Sequence, residues 1–233
     1  MQNLSRLELI TSKEIIEKIK EKNILLIGLG GVGGYTFETL VRSGIENITV
    51  VDGDTFEESN LNRQVLSLKS TINKNKTDVA ELRSKEINSN INIKKITKVL
   101  TKENINEINF KEYDYVIDAC DTIDIKKEII RICTKNNIRF ISSMGTGNKF
   151  HPELLEITTL DKTEYDPIAK ILRKYVKEEH INKKIKVVAS KEKPVKTKGT
   201  TIGSNAFVPA AAGILLTSYV INDIVGEAWK YMI

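Results

Sequence analysis

Two cysteines in 233 residues, Cys120 and Cys133, with no CxxC pair, exclude a disulfide framework and a four-thiolate zinc site. Cys120 closes the apolar run that begins at Val116, and Cys133 falls on the apolar side of the next predicted helix, so both read as reduced, inert core residues. Long hydrophobic runs are also missing. The longest, residues 206–221, holds 16 residues and is interrupted by Pro209, Thr217 and Ser218. That is short of a membrane span and reads as a buried helix rich in small residues. The opening MQNLSRLELI lacks the apolar core of a signal peptide, and no internal repeat is visible. These absences predict a cytoplasmic protein without a membrane span.

The length suits one α/β domain able to bury a full core. Net charge is +5, but it is unevenly spread. Residues 162–198 hold 12 Lys or Arg against 5 Asp or Glu, and the rest of the chain is slightly acidic, with 24 against 26. A basic segment of this kind is either a footprint for a polyanion or a solvated lysine-rich face.

The most informative stretch is residues 23–64. Ile24-Leu25-Leu26-Ile27 is too short for a helix and predicts a buried strand. Gly28, Gly30 and Gly33 then fit GxGxxG, with Gly31 and Gly34 added, and a helix pattern follows at once. Glycines at such a junction let backbone approach a phosphate, toward which the first N–H groups of the helix point. A second strand over residues 48–51 runs into Asp52, where a carboxylate can accept bonds from a ribose. The glycine loop alone fits a nicotinamide dinucleotide as well as ATP. The continuation Asn60-Leu61-Asn62-Arg63-Gln64 favours a triphosphate, whose multiply charged phosphates require fixed donors.

Asp52, Asp54, Asn60, Arg63 and Gln64 with the glycine loop resemble the ATP site of the adenylating domain of ubiquitin-activating enzymes and of bacterial activators of sulfur-carrier proteins. The resemblance implies a Rossmann-like, mostly parallel sheet flanked by helices, with a C-terminal antiparallel extension and a long terminal helix. It divides one continuous domain into an adenylating core, residues 1–160, and a basic extension with a packing helix, residues 161–233. ATP and Mg2+ are the implied ligands, held by Gly28, Gly30, Gly31, Gly33, Asp52, Asp54, Asn60, Arg63, Gln64, Lys76 and Asp121. Lys76 matches the family's lysine at the start of a helix, with Lys74 as its rival, and Asp121 matches an aspartate near the triphosphate that helps to hold magnesium. Arg6, ahead of the first helix, matches an arginine that in homodimeric relatives reaches into the partner's ATP site. Arg6, Arg63, Lys76 and Asp121 are thus the expected catalytic set.

The remaining chain reads as helices over 7–20, from Lys76 through Val79, Leu82 and Ile87, and over 123–133 and 168–179. Strands are expected at 93–99, 113–121, 139–142, 154–159 and 186–189, and a short helix near 104–108. Asp118 is expected to fix its loop by accepting backbone N–H groups, and Asp121 to double as a helix N-cap. The loop Ser143-Met144-Gly145-Thr146-Gly147-Asn148-Lys149, at the end of a strand, is either the lining of the second-substrate site or a plain connection. Residues 190–203 read as a mobile basic loop, and the last helix runs from about Val208 to Trp229, entered through Pro209.

Members of this group adenylate a carboxylate and differ in what attacks next. The ubiquitin-activating branch uses a cysteine, and sulfur-carrier activators often carry four zinc-binding cysteines. This chain offers Tyr165-Asp166-Pro167 in the equivalent region, with Asp166 where some relatives have a cysteine. The strand-end loop, Asp161-Lys162-Thr163 ahead of Pro167, and Ser190-Lys191-Glu192-Lys193-Pro194 look like the ring-closing branch, the bacterial tRNA threonylcarbamoyladenosine dehydratases. That likeness implies a tRNA partner, docked by its anticodon region, a homodimer, and room for an accessory protein of the sulfur-transfer type. The alternatives are an adenylyltransferase acting on the C-terminal glycine of a sulfur-carrier or ubiquitin-like protein, a nicotinamide-dependent oxidoreductase and a non-catalytic nucleotide-binding scaffold.

Overall fold

Seven strands build one sheet: β1 (Asn23–Ile27), β2 (Asn47–Val51), β3 (Asn92–Ile96), β4 (Tyr115–Asp118), β5 (Phe140–Ser143), β6 (Leu155–Thr159) and β7 (Lys186–Ser190). Their order is β3-β2-β1-β4-β5-β7-β6, in a computed structural model that describes residues 3–197, 199 and 201–226. All neighbours are parallel except β6 and β7. The helices are α1 (Ser5–Glu8), α2 (Lys13–Lys20), α3 (Gly31–Arg42), α4 (Lys76–Ile87), α5 (Ile123–Lys135), α6 (Pro167–Glu178) and α7 (Val208–Val225).

The apolar run of β1 is continuous because both of its faces are covered. Ile24 and Leu26 point into a cluster with Phe37 and Leu40 of α3 and Leu216 and Val220 of α7. Leu25 and Ile27 point the other way, onto Ile125, Ile129 and Cys133 of α5. The strand order reverses beside β1, which is central, with β2 on one side and β4 on the other. Open α/β sheets bind their ligands in the crevice at such a switch point.

The helix α7 is 18 residues long and apolar enough by composition to cross a membrane. Its apolar side is spent inside the molecule: Val208, Ala212, Leu216, Val220 and Ile224 are buried. Small residues let it lie close to α3. A Cβ built at Gly213 would stand 2.4 Å from the Val32 carbonyl oxygen, and the hydroxyls of Thr39 and Thr217 meet at 2.7 Å.

Several elements depart from the sequence expectation. Strand β3 stops at Ile96 rather than 99, because its partner β2 ends at Val51 and offers no ladder beyond. Leu82 lies 62% exposed on the outer side of α4, not in the core. Position 122, not Asp121, is the N-cap of α5, and it makes no side-chain cap bond. The loop expected to be mobile is tied down in its first half. Buried Glu192 accepts from the N–H groups of Phe150 and His151, and the Val195 N–H reaches the Asn148 carbonyl at 2.7 Å. Residues 227–229 of the expected terminal helix lie outside the described residues.

A Gly213→Ala substitution should cost about 1–3 kcal/mol, because backbone rather than a flexible side chain opposes the new methyl group. Urea unfolding measures it; an unchanged midpoint would mean that α3 and α7 separate freely.

Candidate functional site

The turn from β1 into α3 is built on two close approaches. Gly28 adopts φ +94°, and a Cβ there would meet the Ala119 carbonyl oxygen at 2.8 Å, just past the end of β4. A Cβ on Gly33 would fall 1.9 Å from the Gly28 carbonyl oxygen. Only glycine fits at either place. By contrast Gly30 has open space above it, with Gln64 Nε2 the nearest atom at 4.0 Å. The first intrahelical bond joins the Gly34 N–H to the Gly30 carbonyl. The N–H groups of Gly31, Val32 and Gly33 are therefore left for a ligand, at the positive end of the helix.

Asp52 clamps the ends of β1 and β2. One carboxylate oxygen accepts from the Leu29 N–H at 2.7 Å, the other from the Asp54 N–H at 2.9 Å. Burial raises its pKa above the ordinary 3.8, and Lys76 and these N–H groups oppose that rise without cancelling it. Lys76 is itself buried. Its Nζ lies 2.9 Å from Asp54 Oδ2 and 4.0 Å from Asp52 Oδ1. Its rival Lys74 is exposed.

The Asn60-to-Gln64 run closes the other side. Asn60 is buried and its Oδ1 accepts from the Glu57 N–H at 3.3 Å, so it shapes the turn. Arg63 lays its stem beside Gly31 and spends Nη1 on the Ser59 carbonyl, at 2.7 Å, and on Asn62 Oδ1. Its Nε and Nη2 have no partner among the described residues. Gln64 Oε1 is buried without a hydrogen-bond partner, an acceptor available to a ligand hydroxyl or amine. Asp121 is exposed just past Ala119 and Cys120, which pack against Gly28.

The fold thus gathers Gly28, Gly30, Gly31, Gly33, Asp52, Asp54, Asn60, Arg63, Gln64, Lys76 and Asp121 around one crevice. Arg6 is not among them. It is exposed on α1, whose neighbour Leu4 packs against Gly44 past the far end of α3. Twelve residues of α3, about 18 Å, separate the two ends. Among the described residues no cluster of three or more His, Cys, Asp or Glu side chains forms a metal cage. The Asp121 carboxylate, without a partner among the described residues, fits instead an Mg2+ brought by phosphates, which needs one or two carboxylates from the protein.

Beneath the crevice lies a network that the sequence reading missed. Lys126 and Asp118, each 1% exposed, pair at 2.9 Å, and Lys126 Nζ also donates to Ser142 Oγ and to the Ser143 carbonyl. Burial works against the ammonium charge, yet Asp118 outweighs it and the Lys126 pKa is raised. Asp118 accepts from the Cys120 N–H, as expected of it, but its main partner is this lysine. Desolvation and the Asp118 charge push the Cys120 thiol well up, and burial does the same to Cys133, so neither is a thiolate nucleophile. A second buried pair joins Lys149 to Asp166 at 3.4 Å. The signal for Lys126 was present: it shares the apolar face of α5 with Ile129, Ile130 and Cys133. Nothing periodic marks Lys149.

A family model described as the ThiF family matches residues 2–227. The chain belongs to the ThiF family. Within it, the chain is 35% identical to the tRNA threonylcarbamoyladenosine dehydratase of Bacillus subtilis, over 97% of this chain and 96% of that one. Identity to the molybdopterin-synthase adenylyltransferase of Haemophilus influenzae is 32%, over 69% of this chain and 65% of the other. Among solved ThiF-like structures, E. coli tRNA N6-threonylcarbamoyladenosine dehydratase in complex with ATP superposes with TM-score 0.90 at 26% identity, covering 98% of this chain and 96% of that one.

Because the Asp52 pKa is raised, ionising it costs folding stability as pH climbs from 3.8 through the folded value. The sequence expects Asp52 to accept ribose hydroxyls, and an ionised carboxylate accepts them more strongly than a neutral one, so ATP affinity should fall as pH drops through that raised pKa. Titration calorimetry across acidic pH should show this step in the native protein and not in Asp52→Asn. An identical pH profile for both would remove Asp52 from the ribose site.

Proposed function

We propose that the protein is an ATP-dependent tRNA threonylcarbamoyladenosine dehydratase. The observation that carries the reading is a crevice lined for a triphosphate in a chain whose two cysteines are a buried Cys133 and a half-buried Cys120 with its thiol pushed well up. Near full-length similarity to dehydratases supports it. In this reading the carboxylate of the threonylcarbamoyl group attacks the α-phosphorus of ATP, and the bond to the bridging oxygen of pyrophosphate breaks. The carbamoyl group of the same substrate then attacks the acyl carbon, loses its proton and expels AMP. An internal nucleophile has a high effective concentration, so no enzyme thiol is required.

The roles follow from the geometry. The α3 N-terminus and the glycine turn hold phosphates, Asp52 the ribose, and Gln64 Oε1 a further ligand donor. Arg63 and Lys76 neutralise the charge that builds on departing pyrophosphate, which is where catalysis of this kind is won. Asp121 would hold an Mg2+ carried by ATP, which would supply further charge neutralisation. Arg6 lies too far from its own crevice to act there, which supports delivery to the site of a second copy in a homodimer.

Residues 1–160 would carry the adenylation step, and the basic residues of 162–198 the tRNA-facing surface. Lys170, Lys177 and Lys184 are exposed there for phosphate contacts. The similarity to the molybdopterin-synthase adenylyltransferase sustains one second reading, activation of a carrier protein's C-terminal glycine.

Incubating tRNA bearing threonylcarbamoyladenosine with ATP and the protein should remove 18 mass units from that nucleoside and release AMP. Lys76→Ala or Arg63→Ala should slow this by about a hundredfold or more, given the worth of a fixed charge at a developing anion. An unchanged nucleoside mass, with pyrophosphate exchange triggered by a protein ending in Gly-Gly, would favour the second reading.

A further inference from the structure

The end of β5 and the loop that follows it are held from below by two buried lysines, Lys126 and Lys149. Lys126 Nζ donates to the Ser143 carbonyl at 2.7 Å, and Lys149 Nζ to the Gly145 carbonyl at 2.6 Å. Both ammonium groups are balanced by equally buried carboxylates, Asp118 and Asp166. Asp166 also caps α6 by accepting from the Ala169 N–H at 2.8 Å, so the loop is keyed to a helix. Gly145 has no side chain to spare for this: a Cβ there would sit 3.0 Å from Asp166 Oδ2.

Two linkages here, separated by one peptide, are used differently. In the peptide joining Ser143 to Met144 both groups are satisfied, the carbonyl by Lys126 and the Met144 N–H by the Val188 carbonyl at 2.8 Å. In the peptide joining Gly145 to Thr146 only the carbonyl is satisfied. A trans peptide sets its N–H opposite its C=O. With the Gly145 carbonyl drawn down onto buried Lys149, the Thr146 N–H faces away from the core, and it has no partner among the described residues. The loop is tied to the crevice rim through Asn148, two residues further on. Asn148 exchanges two bonds with Gly203, and the next residue, Ser204, accepts from Asn62, which in turn holds Arg63.

We propose that the Thr146 N–H is an oxyanion donor for the ring-closing step, and that Lys149 is the positioning residue that aims it. This rests on the dehydratase reading. When the carbamoyl group adds to the acyl carbon, the acyl oxygen becomes an anion; the C–O bond to AMP then breaks and AMP leaves with the electron pair. A donor fixed beforehand in the right direction stabilises that anion at no reorganisation cost. The two buried ion pairs are the means of fixing it.

Single-turnover reactions with modified tRNA separate the steps, following pyrophosphate release and cyclised nucleoside independently. Thr146→Pro deletes the N–H where φ is not positive, and Thr146→Ala keeps it. Thr146→Ala should hold both rates within about threefold. Thr146→Pro should release pyrophosphate at the native rate but close the ring about 10² to 10³ times more slowly, the loss typical of one oxyanion donor. Should that variant not fold, as judged by loss of its heat protection by ATP, a pair of double variants decides. Lys149→Met with Asp166→Asn should show the same selective loss, and Lys149→Gln with Asp166→Asn, whose amide can still donate to the Gly145 carbonyl, should recover it. Ring closure within about threefold of native in both Thr146→Pro and the methionine double variant would overturn the proposal, as would an equal fall in both steps. Native protein that releases no pyrophosphate would instead contradict the adenylation reading beneath it.

Discussion

The contact on which the rest depends is backbone against backbone: Gly28 pressed onto the residue after β4, and Gly33 onto Gly28 itself. It brings the β1–α3 turn so close to the end of β4 that the amide-rich start of α3 and the acidic end of β4 share one crevice. Every charged group at the site is placed with reference to that turn. Asp52 ties to it through the Leu29 N–H, Lys76 follows Asp52 and Asp54, and Arg63 lies along Gly31. Side chains at either glycine would push α3 outward and dissolve the arrangement without touching a charged residue.

Charge is handled in two ways around this crevice. On the ligand side, Arg63 and Asp121 keep donor or acceptor capacity in reserve, and the α3 N–H groups are unspent. On the core side, Lys126 with Asp118 and Lys149 with Asp166 are closed pairs. Buried pairs of this kind contribute little net stability, because desolvation offsets the attraction. Their value here is directional. Each ammonium fixes a particular carbonyl of the loop after β5, and the rigidity of the peptide unit passes that orientation to the opposite face.

Much of this was legible in the sequence, for identifiable reasons. The short apolar run before Gly28 had to be a doubly buried strand, and the glycine spacing admits few backbones. Asn60 through Gln64 stood out by residue type, and the fold brings Arg63 and Gln64 beside the glycine turn. What stayed hidden depends on long-range pairing. Strand β3 ends early because β2 does, which residues 93–99 do not reveal. Leu82 fits an apolar periodicity yet faces solvent, since nothing among the described residues packs over that side of α4. Glu192 lies in a stretch that reads as a mobile basic loop, but it is buried and accepts three N–H bonds from Phe150 and His151. Lys149 offered no local cue, because its partner Asp166 lies 17 residues away.

The central claim is that the crevice beside Asp52 grips a triphosphate. Thermal unfolding with saturating ATP, and separately with NAD(H), tests it most directly. A ligand at 100 times its dissociation constant stabilises by about 2.7 kcal/mol, so ATP should raise the melting temperature clearly and Lys76→Ala should abolish most of the rise. Protection by NAD(H) and none by ATP would contradict the account.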